Sequence, residues 1–147
     1  MIAAAPPPWR FQCYVSDDGV DQIRVWYDSA SEEVRAKFSS RLRALRQLPL
    51  MEWREPLFRW LRGEAHGLGE IRFKADRVQQ RPLGFHGPES DVFTLVFPAK
   101  EKGDRFVPKN ATALALERKA IIERDSRRSI PCWIFGDSAP SISGGIG

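Results

Sequence analysis

The sequence predicts an α+β fold, and three observations carry that prediction. Residues 31–48 place apolar side chains at helical spacing, residues 69–98 hold three strand-like segments in succession, and a second helical segment follows a proline near residue 109. The order is strand, helices, three antiparallel strands, helix. It implies a compact domain whose N-terminal helical hairpin and C-terminal helix pack on one face of a curved, antiparallel, mixed-edge sheet. A length of 147 residues suggests one domain, large enough to bury a core without covalent staples.

Each element has a local reason. Residues 1–8 (MIAAAPPP) read as a flexible start. They carry no positive charge and no long apolar stretch, so they do not read as a secretory signal. Residues 9–15 are short and aromatic-rich, a strand, and Ser16-Asp17-Asp18-Gly19 is a turn signal. Ile23, Trp26 and Tyr27 are three and four apart, which favours a short helix over 21–28. Over 31–48, Val34, Phe38, Leu42, Leu45 and Leu48 form one stripe, with Arg35, Arg41, Arg43 and Arg46 mostly off it. Ser29 and Glu32 fit a capping box, and Pro49 stops the helix. A second short helix is expected over 55–62, closed by Gly63.

The strands come next. Residues 69–74 alternate, with Ile71 and Phe73 on one face and Glu70, Arg72 and Lys74 on the other. Residues 77–85 form a less regular strand, where Pro82 lacks an amide donor and points to an edge or a bulge. Residues 84–88 read as a loop. Residues 92–98 (VFTLVFP) are apolar on both faces, which places them centrally in the sheet. The last helix runs from Lys109 or Asn110 to Arg124. Residues 125–147 form an extension, and its end, 137–147 (DSAPSISGGIG), reads as disordered.

Composition bounds the function. No run approaches the roughly 18 apolar residues of a membrane helix. Cys13 and Cys132 lie far apart with no Cys-x-x-Cys pair, which does not make a disulfide framework and suggests a reducing, cytoplasmic compartment. The net charge of +4 and pI near 9.4 permit a phosphate-bearing partner without requiring one. Residues 1–30 hold two basic and four acidic side chains, residues 31–50 five and two, so basic character begins after the first segment.

Common catalytic signatures are missing. His66 and His86 are the only histidines, and neither has a metal-ligand partner at recognisable spacing. There is no Gly-x-Ser-x-Gly and no P-loop. Asp17 and Asp18 sit in a turn signal. No cofactor is implied. What remains is basic: Arg72, Lys74, Arg77, Arg81, Lys100, Lys102, Arg105 and Lys109. Antiparallel pairing can bring the strand-borne cations to one side of the sheet, where they would hold a phosphate backbone and stabilise charge at phosphorus. The same residues also suit an ordinary solvated face, because six acidic residues lie between positions 68 and 109.

Residues 67–85 (GLGEIRFKADRVQQRPLGF) and 93–119 (FTLVFPAKEKGDRFVPKNATALALERK) resemble the RelE/ParE superfamily, and within it the phage-derived HigB-like toxins. The pattern is a Gly67-Leu68-Gly69-Glu70-Ile71-Arg72 strand, an Arg81-bearing strand and an apolar strand from Phe93 to Phe97. A Lys100/Lys102 turn and a helix after Pro108 complete it. Trp9 to Tyr14, Ile23 to Trp26 and the Leu42/Leu45 helix resemble the first strand and helical hairpin, so the likeness spans about 9–124. The resemblance implies a RelE-like domain. It also implies a toxin of a type II toxin-antitoxin system that cuts messenger RNA in the ribosomal A site, by attack of a ribose 2′-hydroxyl on the adjacent phosphate. Its partners would be a cognate antitoxin, mRNA and the ribosome, with no membrane.

By position, Arg72, Arg81, Lys100 and Lys102 match the catalytic strand and turn residues, with Arg81 stabilising the scissile phosphate. Lys74, Arg77, Arg105, Phe106 and Lys109 become nucleic-acid contacts, Phe106 by stacking on a base. The chain departs from the pattern in having Phe106, and no Tyr or His, near the C-terminal helix. Two other readings therefore stand beside the nuclease: a ParE-like inhibitor of DNA gyrase, and a degenerate toxin kept as a binding module.

Overall fold

The computed structural model describes residues 9–135. Strand β1 (Arg10–Tyr14) leads into helices α1 (Gln22–Ser29) and α2 (Glu32–Arg46). Strands β2 (Phe58–Trp60), β3 (Gly69–Ile71), β4 (Phe73–Ala75), β5 (Val78–His86), β6 (Val92–Lys102) and β7 (Arg105–Val107) follow. Helix α3 (Ala111–Arg124) and strand β8 (Ser129–Pro131) close the domain. The expected first and last tracts, 1–8 and 137–147, lie outside the described residues. No helix among the described residues is long and apolar enough to cross a membrane.

The eight strands form one sheet in the order β2-β3-β5-β6-β1-β8, with β4 against β5 and β7 against β6. The sheet is mixed: β1 runs parallel to β6, and the other pairs are antiparallel. A parallel pair needs a long crossover, and α1 and α2 lie within the one between β1 and β6. The apolar run at 92–98 is central as its composition predicts, but the strand continues to Lys102.

The helices do not share a face. Ile23 of α1 and Val34, Phe38, Leu42 and Leu45 of α2 pack with Phe11, Phe73, Phe93 and Leu95. Ala111, Ala115 and Ile122 of α3 pack on the other side with Leu83, Phe85, Val96 and Ala99. The expectation of helices on one face is thus corrected, and a β-bulge lets β6 serve both faces. Leu83 stands opposite Phe97 but Gly84 stands opposite Leu95, leaving Val96 as the extra residue. A bulge reverses the alternation of side chains. Before it, Phe93 and Leu95 face α2; after it, Ala99 faces α3. Gly84 is required there, since a Cβ would sit 2.3 Å from the Phe93 ring and 2.5 Å from the Thr94 carbonyl oxygen. Arg118 of α3 donates to the Val96 carbonyl at 2.8 Å, supplying a partner at the bulge.

Local readings are corrected at three more places. The cap of α2 is Ser31, whose hydroxyl accepts from Val34 N–H, while Ser29 bonds back to carbonyls of α1. Residues 55–62 contain strand β2 instead of a helix. Of the two placements expected for Pro82, an edge or a bulge, the structure has the bulge: Pro82 lies on interior strand β5 beside the register shift at Leu83/Gly84. Residues 84–86 continue β5, so the loop to β6 starts later than expected.

The cysteines are also corrected. Cys13 and Cys132 are disulfide-bonded, with Cα atoms 5.4 Å apart and both side chains buried. Spacing along the chain cannot show this, because the pairing arises from β8 aligning against the open side of β1. The ground for expecting a reducing compartment is thereby removed. Beyond β8, Phe135 stacks on Phe11 and lies under Arg46, while Trp133 meets Tyr27 edge to face. The start of the extension is therefore an ordered part of the domain.

Closing so long a loop restricts the unfolded chain. Cys132→Ser is expected to lower the unfolding free energy by about 2–5 kcal/mol, read by urea denaturation without reductant. Equal midpoints for the variant and the parent would show that packing alone holds this segment.

Candidate functional site

Strands β3 and β4 keep one register against β5, with Glu70 opposite Leu83, Phe73 opposite Gln80 and Lys74 opposite Gln79. The ladder is interrupted at Arg72, beside the place where Pro82 offers no N–H. Arg72 satisfies its backbone elsewhere. Its N–H donates to the Leu57 carbonyl at 2.9 Å, and its carbonyl accepts from Arg41 on α2.

The same helix serves the rest of β4. Lys37 donates to the Lys74 carbonyl at 3.1 Å, and the Glu33 carboxylate accepts from Asp76 N–H at 3.0 Å. Residues 33, 37 and 41 step by four while 76, 74 and 72 step by two. Four helical residues advance about 6 Å and two strand residues about 6.7 Å, so the steps match. Side chains from three successive turns of α2 thus cover the backbone edge at and beside β4.

A buried ion network sits on the face toward α3. Glu70, 1% exposed, lies 3.4 Å from Arg59 and 3.7 Å from Arg81, and it accepts a hydrogen bond from Arg72. Arg81, 4% exposed, donates to Glu101 at 2.8 Å, to Gln79 Oε1 at 3.1 Å and to the Gln80 carbonyl at 2.9 Å. The other carboxylate oxygen of Glu70 has no hydrogen-bond partner. A cleft of about 340 Å³ opens beside the network, lined by Arg41, Glu55, Arg72, Lys74, Gln79 and Arg81, with Pro56 and Phe73.

The register decides which predicted residues meet. Arg72, Lys74 and Arg81 come together at the cleft. Lys100 and Lys102 do not. They lie inside β6 and not in a turn, and they project away from Arg81, because Arg81 pairs with Ala99 while Gln80 pairs with Lys100. The bulge is responsible. In an unbulged ladder Gln79 would face Lys100; with Val96 inserted it faces Glu101. Arg105, opposite Lys102, shares the lysine side. Phe106, opposite Glu101, returns to the α3 side and packs partly buried against that core, so it is not free to stack on a base. Arg77 stands in the two-residue turn between β4 and β5 with φ 64°, exposed, and Lys109 is exposed before α3.

Arg41, Glu55, Glu70 and Glu101 are not among the candidate site residues read from the sequence. Arg41 left a trace: it lies seven residues from both Val34 and Leu48, on the repeat of the apolar stripe. Burial lowers the pKa of its guanidinium, and no carboxylate among the described residues forms an ion pair with it. Glu55 is the one carboxylate lining the cleft, and neither His nor Tyr lines it.

No protein-family model, curated protein or solved structure matches the chain.

Removing one member of a buried ion network strands the others without a counter-charge. Glu70→Ala is expected to destabilise the fold by about 3–5 kcal/mol, measured by urea unfolding. A loss below about 1 kcal/mol would mean that water screens the network.

Proposed function

We propose that the protein is a toxin of the RelE/ParE type, which grips messenger RNA on the ribosome through the cleft beside Arg72 and cuts it. One observation carries the reading: four cations from three elements, Arg41, Arg72, Lys74 and Arg81, converge on a cleft with a single carboxylate. Such a cleft suits a phosphodiester, which accepts charge-assisted hydrogen bonds at several oxygens. The element order of strand, two helices, antiparallel strands and helix supports the RelE-like part of the proposal. The sheet of eight strands is larger than the resemblance implies.

Within this reading the roles shift from those expected. Arg81 is 4% exposed and has three of its five donors engaged by Glu101, Gln79 and the Gln80 carbonyl, so it orients the network and does not reach for substrate. Arg72, whose side chain is 19% exposed, is the arginine that touches the phosphate. Glu55 takes the proton of the ribose 2′-hydroxyl as that oxygen attacks phosphorus in line. The departing 5′-oxygen takes a proton from water, leaving a 2′,3′-cyclic phosphate and a 5′-hydroxyl. The cytoplasm follows from the ribosome as target, and an antitoxin would act by covering the cleft.

A second reading, a binding module without catalysis, is favoured by the placement of Lys100 and Lys102 away from Arg81. Cell-free translation with primer extension on the mRNA separates the two. Cuts within translated codons are expected only with ribosomes present. Arg72→Ala is expected to reduce them about 10²–10³-fold and Glu55→Gln about 10²–10⁴-fold, each compared below its own unfolding midpoint because Arg72→Ala also takes a partner from Glu70. Intact mRNA in the presence of translating ribosomes would leave the binding module, and DNA breaks in expressing cells with intact mRNA would move the target to gyrase.

A further inference from the structure

We propose that Arg41 and Lys74 form a phosphate subsite at the β4 edge of the cleft, taking the backbone phosphate of a ribonucleotide. The inference rests on reading the cleft as a nucleic-acid site, and it assigns a part of the contact to helix α2.

The argument is one of charge balance. The arginines around the cleft are paired inside the protein, where Arg59, Arg72 and Arg81 share the carboxylates of Glu70 and Glu101 and leave one positive charge over. On α2, Lys37 lies 3.3 Å from Glu33. Arg41 and Lys74 have no acidic partner within ion-pair distance among the described residues. For Lys74, exposed to water, that is unremarkable. For Arg41 it is costly, because a partly desolvated charge without a counter-charge is unfavourable.

The hydrogen bond to the Arg72 carbonyl accounts for one of five guanidinium donors. Capping that carbonyl requires only a neutral donor, so the charge is in excess of the structural task. A planar fork with free donors beside an ammonium matches a phosphate better than a lone point charge does. A cleft of about 340 Å³ has room for about one nucleotide. An anion held at Arg41 would also fix the Arg72 backbone, linking this subsite to the arginine that faces the scissile phosphate.

The test titrates fluorescein-labelled oligoribonucleotide into the parent protein and into Arg41→Gln, Arg41→Ala and Arg41→Lys, at several KCl concentrations. Inorganic phosphate and adenosine monophosphate serve as competitors. Arg41→Gln removes the charge and leaves an amide two bonds short of the Arg72 carbonyl, with room for a bridging water; its folding is checked by the unfolding midpoint, and RNA binding weakened about tenfold or more is expected in the folded variant. The slope of log K against log [KCl] should fall by roughly 0.7, one single-strand phosphate contact. Arg41→Lys should restore the slope and only part of the affinity.

Parent-like affinity and slope in folded Arg41→Gln would overturn the subsite while leaving RNA binding intact. Binding of phosphate or adenosine monophosphate that is lost in Arg41→Gln, without RNA binding by the parent, would keep the subsite and remove the RNA reading. A parent protein that binds none of the three probes, yet captures an acidic peptide, would overturn both.

Discussion

One inserted residue organises this molecule. With Val96 bulged out of β6, the strand presents Phe93 and Leu95 to α2 in its first half and Ala99 to α3 in its second. A two-sided sheet needs cover on both faces, and here one long strand supplies apolar surface to each in turn. The same insertion decides the chemistry further along. It brings Glu101 against Arg81 and sends Lys100 and Lys102 to the far side. The bulge is held by Gly84, whose missing side chain admits the Phe93 ring, and by Arg118, whose guanidinium meets the Val96 carbonyl.

The cationic face that results is mostly self-satisfied. Two carboxylates, Glu70 and Glu101, are engaged by Arg59, Arg72 and Arg81. Buried ion pairs contribute little net stability relative to apolar packing, but they hold geometry. The open charge lies just outside this network, where Arg41 caps β4 and Lys74 projects from it. A ligand phosphate would therefore meet preorganised arginines already fixed by glutamates, with the unneutralised cations at the cleft wall.

Much of the fold was legible because it follows periodicity. Phe38, Leu42 and Leu45 repeat at helical spacing and are fully buried, and the run around Phe93 to Phe97 is apolar on both sides and central. The errors lie where periodicity carries no information. A bulge inside a run such as VFTLVFP leaves no mark, since every residue suits either face. The lysines that follow inherit that ambiguity, which is why Lys100 and Lys102 seemed able to join Arg81. Trp60 and Leu61 suit a helix as well as a strand, and β2 forms only because β3 offers a partner. The site was legible in part: Arg72, Lys74 and Arg81 do share the cleft. Glu70 and Glu101 looked like solvated acids because their burial depends on strand register, a property of the assembled sheet.

The covalent link between Cys13 and Cys132 carries a mechanical consequence. It joins the strand that opens the described domain to the segment that closes it, 119 positions later. A force applied to the two ends of the described domain, as when an unfoldase or a ribosome draws on the chain, would run across that bond and bypass nearly all of the sheet. The hydrogen bonds of β1 to β8 beyond the link, which would otherwise be loaded first, and those of β1 to β6 behind them would bear little tension until the bond is reduced. Resistance to being pulled through a narrow pore would then be set by chemistry at two buried sulfurs and not by the strength of the fold they enclose.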